Sequence, residues 1–105
     1  MAKIPVRIQK IIDRYLNALR ENNIPINKAI LFGSYAQGKH GQWSDIDIAL
    51  VSSIFEGDRF LDRKKIRKIN LNISSDLEVL PFRPQDFTPD DPLVKEILET
   101  GVTLL

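Results

Sequence analysis

The sequence contains no cysteine and only one histidine, His40, which lies in a glycine-rich loop and to which we assign no role. Disulfides, thiolate nucleophiles and cysteine-ligated metal centres are therefore excluded as the basis of its function. No apolar run approaches the roughly 20 residues that a helix needs to cross a bilayer. Charge is also balanced, because 15 basic and 14 acidic side chains leave a formal net charge of +1. Direct binding to nucleic acid or to a membrane through bulk charge is not expected.

The length and composition indicate one small globular domain over residues 1–105. Hydrophobic residues make up 43% of the chain and charged residues 28%, a balance typical of a folded protein rather than a disordered one. The first five residues are followed by polar and charged side chains within one helical turn, which does not resemble a signal peptide. We therefore expect a cytoplasmic protein.

Hydrophobic periodicity predicts alternating helices and strands. Apolar residues at three- and four-residue spacing indicate amphipathic helices, and short apolar or alternating runs indicate strands. The predicted elements are helix 5–22, strand 28–32, a short helix after residue 33, strand 45–51, helix 58–73, strand 76–80 and helix 92–100. Pro81 and Pro84 are expected to stop the third strand. This order predicts an α/β (α+β) fold, a small mixed β-sheet flanked by helices.

Two aspartates stand at the start of the second predicted strand. Asp45 and Asp47 are two residues apart, so their side chains project from the same face of the strand. Adjacent carboxylates repel each other, and burying them without compensation is costly. A divalent cation would relieve that repulsion, and oxygen-only ligands favour Mg²⁺ or Mn²⁺ over Zn²⁺. The alternative interpretation is a solvated strand edge or a turn cap.

A Gly-Ser pair directly follows the first predicted strand. Gly33 would let the backbone approach a ligand closely, and backbone N–H groups that open a helix favour phosphate. Ser34 adds a hydroxyl donor. Alone, the pair could be an ordinary strand-to-helix turn. Together with Asp45 and Asp47 a few residues later, it predicts a phosphate site beside a metal site.

The same segment partly matches a Walker A phosphate loop. Gly33, Gly38 and Lys39 have the required spacing. His40 follows, however, where that loop needs a Ser or Thr hydroxyl to hold Mg²⁺. We therefore reject this alternative.

The combination of an apolar strand, Gly33-Ser34, a short spacer and Asp45-x-Asp47 resembles the signature of the polymerase-β-type nucleotidyltransferase superfamily. The chain is similar in length and element order to its minimal nucleotidyltransferases, which lack a substrate-binding domain. The resemblance implies a polymerase-β-like core and a third acidic ligand on a later strand.

Two carboxylates are candidates for that third ligand. Asp76 and Glu78 share one face of the third predicted strand. In DNA polymerase β the corresponding aspartate opens a strand that ends in proline five residues on, and Asp76 to Pro81 reproduces that spacing. We therefore predict Asp76 as the third ligand, with Glu78 in reserve.

The resemblance also implies an activity and a partner. Asp45, Asp47 and Asp76 would bind Mg²⁺ and form the catalytic group. Gly33 and Ser34 would bind the phosphates of ATP or another nucleoside triphosphate. In the minimal nucleotidyltransferases the partner is often a HEPN-domain toxin, an RNase, and the nucleotidyltransferase acts as its antitoxin by transferring AMP to a tyrosine.

Two other functions remain open at this stage. The chain could be a non-catalytic antitoxin that masks its partner, although such a binder has no use for three convergent carboxylates. It could also be a small-molecule nucleotidyltransferase of the aminoglycoside-modifying kind, although those enzymes usually carry an additional helical domain.

A few remaining residues are expected to serve the fold rather than the chemistry. Trp43 is expected to have an ordinary packing role. A basic cluster lies in the predicted helix 58–73 and is expected to form its solvated face rather than a binding surface. The basic cluster comprises Arg63, Lys64, Lys65, Arg67 and Lys68.

Overall fold

This computed structural model describes residues 4–105, so the sequence-based interpretation of residues 1–3 lies outside the described part. The helices and strands are α1 (Val6–Glu21), β1 (Lys28–Phe32), α2 (Ser34–Gln37), β2 (Ile46–Val51), α3 (Arg59–Ile73), β3 (Leu77–Phe82), α4 (Pro92–Thr100) and β4 (Val102–Thr103). The predicted order is confirmed, and β4 is an addition that the sequence pattern did not indicate. Within residues 4–105, no helix combines the length and the apolar character that a membrane crossing requires.

The four strands form one mixed sheet in the order β3-β2-β1-β4. β1 pairs antiparallel with β2 and with β4, whereas β2 pairs parallel with β3. A parallel pair needs a crossover connection, and α3 provides it between β2 and β3. The predicted α/β class is therefore confirmed, with β3 at one edge of the sheet and β1 and β2 inside it.

The two faces of the sheet are covered by different helices. Alternate residues of a strand point to opposite faces. Ile46, Ile48 and Leu50 of β2 lie in the apolar layer that includes residues of α1 and α3. Ala49 and Val51 lie in a second layer with residues of α4. Asp47 therefore projects from the α4 face of the sheet, near the end where β2 begins.

Aspartate caps fix where α3 and α4 begin. The side chain of Asp58 accepts a hydrogen bond from the Leu61 N–H at 3.0 Å. The side chain of Asp91 accepts one from the Leu93 N–H at 2.9 Å. Both bonds satisfy backbone donors that have no partner inside the helix.

Pro81 does not stop the third strand, because β3 continues to Phe82, and the strand ends two residues before Pro84, which begins a 3₁₀ turn. The carbonyl oxygen of Phe82 accepts a hydrogen bond from the Ser52 N–H at 3.1 Å. In a parallel ladder, alternate residues of a strand bond to the same neighbour. Pro81 therefore directs its nitrogen towards the free edge of the sheet, where a missing N–H costs no sheet hydrogen bond.

Candidate active site

A glycine with positive φ ends β1. Gly33 has φ 74° and ψ −152°, a backbone conformation that residues with a side chain rarely adopt. A Cβ at this position would also overlap the carboxylate of Asp47. Glycine is therefore required at position 33, and the carboxylate of Asp47 packs directly against the turn.

Asp47 lies beside this turn, and Asp45 lies two residues before Asp47 along the chain. Asp47 pairs with Phe32 of β1 and is half-buried. Asp45 lies one residue before β2 and is exposed. Burial raises the pKa of Asp47, and the negative charges of Asp45 and Glu78 raise it further. Each of these causes disfavours the ionised carboxylate, so this end of the sheet is electrostatically suited to a cation.

Glu78 is the β3 carboxylate next to Asp47. The parallel register places Glu78 directly opposite Asp47, so both side chains project from the same face of neighbouring strands, which lie about 4.8 Å apart. Asp76 lies one residue before β3, and its carbonyl oxygen accepts a hydrogen bond from the Ile46 N–H at 2.8 Å. Glu78 contributes to the raised pKa of Asp47, and Asp76 is not among the causes. Asp76 thus lies at the same end of the sheet, but Glu78 interacts with the aspartate pair.

An arginine from α3 pairs with Glu78. Arg63 Nη2 lies 3.4 Å from Glu78 Oε1, and the two side chains are 48% and 51% exposed. Within residues 4–105, no group of three Asp, Glu or His side chains is arranged to hold a metal ion. An exposed ion pair such as Arg63–Glu78 contributes about 0–1 kcal/mol to the free energy of folding. The Arg63–Glu78 pair can therefore open at little cost.

Ser34 lies next to Gly33 and is half-buried at the first position of α2. α2 ends after one turn, and the N–H of Lys39 bonds to the Ser34 carbonyl oxygen at 2.9 Å. The ring of His40 then stacks on Tyr35, with centroids 4.5 Å apart and an interplanar angle of 20°. His40, which the sequence left without a role, therefore packs its loop against α2.

Trp43 differs from the expectation. Its side chain is 87% exposed, so the predicted packing role is wrong. Trp43 lies two residues before Asp45, in a loop that ends in a turn. In this turn the Ser44 hydroxyl accepts a hydrogen bond from the Gly41 N–H at 2.8 Å. Trp43 is also the only tryptophan of the chain, which makes it a fluorescent reporter close to the aspartate pair.

A glycine turn, one carboxylate on β2, a second just before β2 and a third on the parallel neighbour β3 lie at one end of a small mixed sheet. That arrangement defines a nucleotidyltransferase-type domain. The model of the family described as "Nucleotidyltransferase domain" matches residues 12–102. The chain belongs to this family.

Comparisons with individual proteins agree with the family. A candidate protein adenylyltransferase of Methanocaldococcus jannaschii is 45% identical over 47 residues, which are 44% of this chain and 47% of that protein. The match thus spans about half the length of that relative. A candidate nucleotidyltransferase structure from Sulfolobus solfataricus has a TM-score of 0.69 at 19% identity, covering 93% of this chain and 79% of that one. This likeness shows the fold.

A third similar structure is a chain of a toxin–antitoxin complex crystallised with AMP-PNP. Its TM-score is 0.63 and its sequence identity 25%, and the superposition covers 89% of this chain and 71% of that one.

Proposed function

We propose that this chain is a cytoplasmic, Mg²⁺-dependent nucleotidyltransferase that transfers AMP from ATP to a hydroxyl group of a partner protein. The partner is the toxin of a toxin–antitoxin pair, and the acceptor is a tyrosine of a HEPN-type domain. The observation that carries the proposal is the Asp47 carboxylate, which packs against Gly33 and lies beside Asp45 and Glu78.

The comparisons support the donor and the acceptor class. The toxin–antitoxin complex contains AMP-PNP, an analogue of ATP. The curated relative is a candidate protein adenylyltransferase, whose acceptor is a protein rather than a small molecule. Both descriptions fit a catalytic core that needs a second protein to present the acceptor.

The residues present fit Mg²⁺. Mg²⁺ is usually held by one or two carboxylates together with phosphate oxygens of the substrate, rather than by a complete protein cage. Asp45 and Asp47 supply two such carboxylates, and burial together with the charge of Asp45 raises the pKa of Asp47. When bound, Mg²⁺ would neutralise charge on the triphosphate and on the leaving pyrophosphate.

The chain's own groups would position the reactants. Gly33 lets the Asp47 carboxylate pack against the backbone, and Ser34, the first residue of α2, would donate its hydroxyl hydrogen to a phosphate oxygen. The acceptor oxygen forms a bond to the α-phosphorus while the bond between that phosphorus and the β-phosphate oxygen breaks, which releases pyrophosphate. The acceptor proton passes to a carboxylate of the β3 end.

The carboxylate of the β3 end that receives the acceptor proton is proposed to be that of Glu78. The sequence favours Asp76, and this choice stays a prediction. Strand register and the raised pKa of Asp47 both support Glu78 instead. Glu78 would leave Arg63 when the reactants bind, which the weakness of an exposed ion pair permits.

Transfer of label tests the proposal. Wild-type protein is incubated with Mg²⁺, ATP labelled in its α-phosphate and the product of the neighbouring gene, and labelled protein is measured. We expect labelled partner, and we expect Asp47→Asn to reduce the rate by at least about 1000-fold because it removes a metal ligand. Asp90→Asn changes an exposed aspartate outside the site and is the matched control.

Three outcomes separate the candidate functions. Binding and inhibition of the partner without label, unchanged in Asp47→Asn, would indicate a masking module. Label on a small hydroxyl compound but not on the partner would indicate a small-molecule enzyme. Full transfer by Asp47→Asn would refute the site. Quenching of Trp43 fluorescence by Mg²⁺ and ATP reports nucleotide binding independently of transfer.

A further inference from the structure

A groove of about 520 Å³ lies between α3 and the free edge of β3. Its lining combines cations and large apolar side chains and includes a carboxylate of the candidate active site. The residues on which the argument depends are Phe60, Arg63, Lys64, Arg67, Leu71 and Glu78. Because Glu78 also neighbours Asp47, the groove adjoins the candidate active site.

The cations of the groove exceed its anions. Arg63 pairs with Glu78. Lys64 and Arg67 are exposed, and neither has a salt-bridge partner in the part of the chain that the structure describes. The sequence predicted a solvated helix face here, and these exposed cations also line a concave part of that face. The groove is therefore complementary to an acidic ligand.

Two large apolar side chains are exposed along the same groove. Phe60 is 75% exposed and Leu71 is 62% exposed. They lie 11 residues apart on α3 (71 − 60), which corresponds to about 16 Å along a helix. An extended peptide of roughly five residues spans that distance. Both side chains line the same groove as the cations, so a ligand extended along α3 would contact the apolar and the basic groups together.

The edge of β3 offers backbone groups to such a peptide. At one end of β3 the Asp76 carbonyl oxygen accepts a hydrogen bond from the Ile46 N–H, and at the other end the Phe82 carbonyl oxygen accepts one from the Ser52 N–H. The even-numbered residues of β3 therefore direct their backbone groups towards β2. Val79, which lines the groove, therefore directs its N–H and C=O towards the edge that has no strand neighbour, although the residue as a whole is only 5% exposed. An unpaired edge is the site at which an extended peptide adds to a sheet.

The direction of the reaction assigns this side to the acceptor, an argument that rests on the proposed function. The phosphates would lie at Gly33, which follows β1. In an in-line transfer the acceptor approaches from the side opposite the leaving pyrophosphate. Across the sheet, that side is β3, where Glu78 and the groove lie.

We infer that the groove between α3 and β3 is the docking site of the acceptor protein. It takes an extended acidic segment, whose carboxylates contact Lys64 and Arg67 and whose apolar side chains contact Phe60 and Leu71, and it holds the acceptor hydroxyl beside Glu78. A nucleic acid fits less well, because the chain carries almost no net charge.

Calorimetric binding of the acceptor protein tests the inference. The acceptor is the protein that wild type labels, and all variants carry Asp47→Asn so that no transfer occurs during the titration. We expect Lys64→Glu/Arg67→Glu to weaken binding by about tenfold or more, because two charges of an interface are reversed. Arg7→Glu/Lys10→Glu changes two exposed cations of α1 by the same total charge and should stay within about twofold.

A rescue separates direct contact from damage to the fold. Replacing the acidic residues that flank the labelled tyrosine by lysine should weaken binding to the parent protein and restore it to Lys64→Glu/Arg67→Glu. Phe60→Ser, which alters an exposed apolar group without a charge, should also weaken binding. Quenching of Trp43 fluorescence by ATP should be the same in all variants.

The results that overturn the inference are distinct from those that overturn the function. If wild type labels no protein, the proposed function fails, and the docking role fails with it. If labelling occurs and Lys64→Glu/Arg67→Glu binds the acceptor as tightly as the α1 control, only the docking inference fails. Tighter binding of a 12-nucleotide RNA than of the acceptor, lost in the same variant, would assign the groove to nucleic acid and overturn the inference.

Discussion

Asp62, which is buried, and Asp47, which is half-buried, have surroundings of opposite electrostatic character. Asp62 of α3 is 1% exposed, and its two carboxylate oxygens accept hydrogen bonds from the N–H groups of Glu56 and Gly57 at 2.8 and 2.9 Å. Lys65 Nζ lies 3.5 Å from the same carboxylate. Asp47 is half-buried as well, but the charges around it are those of other carboxylates.

The difference distinguishes a structural carboxylate from a functional one. The charge of Asp62 is compensated inside the chain, and its hydrogen bonds hold the segment before α3 in place. The charge of Asp47 is opposed by Asp45 and Glu78, so a partner for it must come from outside the chain. Burial alone would have ranked Asp62 first as a site residue, and the sign of the neighbouring charges reverses that ranking.

Among variants that keep both Asp45 and Asp47, the largest expected effect comes from removing the β3 carboxylate that interacts with Asp47. We expect Glu78→Gln to reduce transfer by about 1000-fold, in the range of a lost proton acceptor, and Asp76→Asn to reduce it by less than about tenfold. The rate of α-phosphate transfer with saturating ATP measures both. The reverse ranking would restore Asp76 as the third ligand.

The next effect comes from displacing Asp47 without removing its charge. Gly33→Ala would place a Cβ on the Asp47 carboxylate and would strain a backbone with positive φ. We expect about 100-fold slower transfer, because a displacement of roughly 1 Å is enough for such a loss. Gly41→Ala is the matched control, because no atom lies within 4 Å of a Cβ built there. Equal activities of the two variants would contradict the proposed packing.

Asp62 should affect stability rather than transfer. Asp62→Ala leaves the N–H groups of Glu56 and Gly57 without their acceptor, at a cost of about 1–3 kcal/mol each at most. We expect the thermal midpoint to fall by about 4–8 °C for each kcal/mol lost. Transfer per folded molecule, measured below the transition, should stay within about twofold of wild type. A loss of transfer without a loss of stability would place Asp62 in the site.

The smallest expected effect is a gain in thermal stability on replacing Asp47 by Asn. The pKa of Asp47 in the folded protein is raised above its ordinary value of 3.8, so folding favours the protonated form. Stability is therefore lost as pH rises from the unfolded pKa to the folded one. Asp47→Asn should raise the thermal midpoint slightly at pH 7, and the difference should disappear below about pH 4. Calorimetric scans without divalent cations measure it, and a lowered midpoint at pH 7 would contradict the electrostatic argument.

The local features of the site could be predicted from the sequence. Gly33, Ser34, Asp45 and Asp47 lie within 15 residues of one another (47 − 33 = 14), and β1 and β2 are joined by a short connection. Their placement therefore follows from alternation along a strand and from the conformational demands of one glycine. The order of helices and strands could be predicted in the same way.

Features that depend on pairing between distant segments could not be predicted. The choice between Asp76 and Glu78 depends on the register of β3 against β2, which no local pattern specifies. The strand β4 has only two residues, too few for a period to be recognised. Asp62 is buried because of backbone groups in the preceding loop, and its position in a basic helix gave no indication of this.

The short strand β4 has a consequence for the reaction. Because β4 pairs with Ile30 and Leu31, β1, the strand that precedes Gly33, has a neighbour on each side, whereas β3 has a neighbour on only one. The side of the site that would bind the donor nucleotide is therefore held by strand pairing on both edges of β1. The β3 side is held by strand pairing on one edge only. Such an asymmetry would let one catalytic core keep a constant grip on ATP while it accommodates acceptors of different shape.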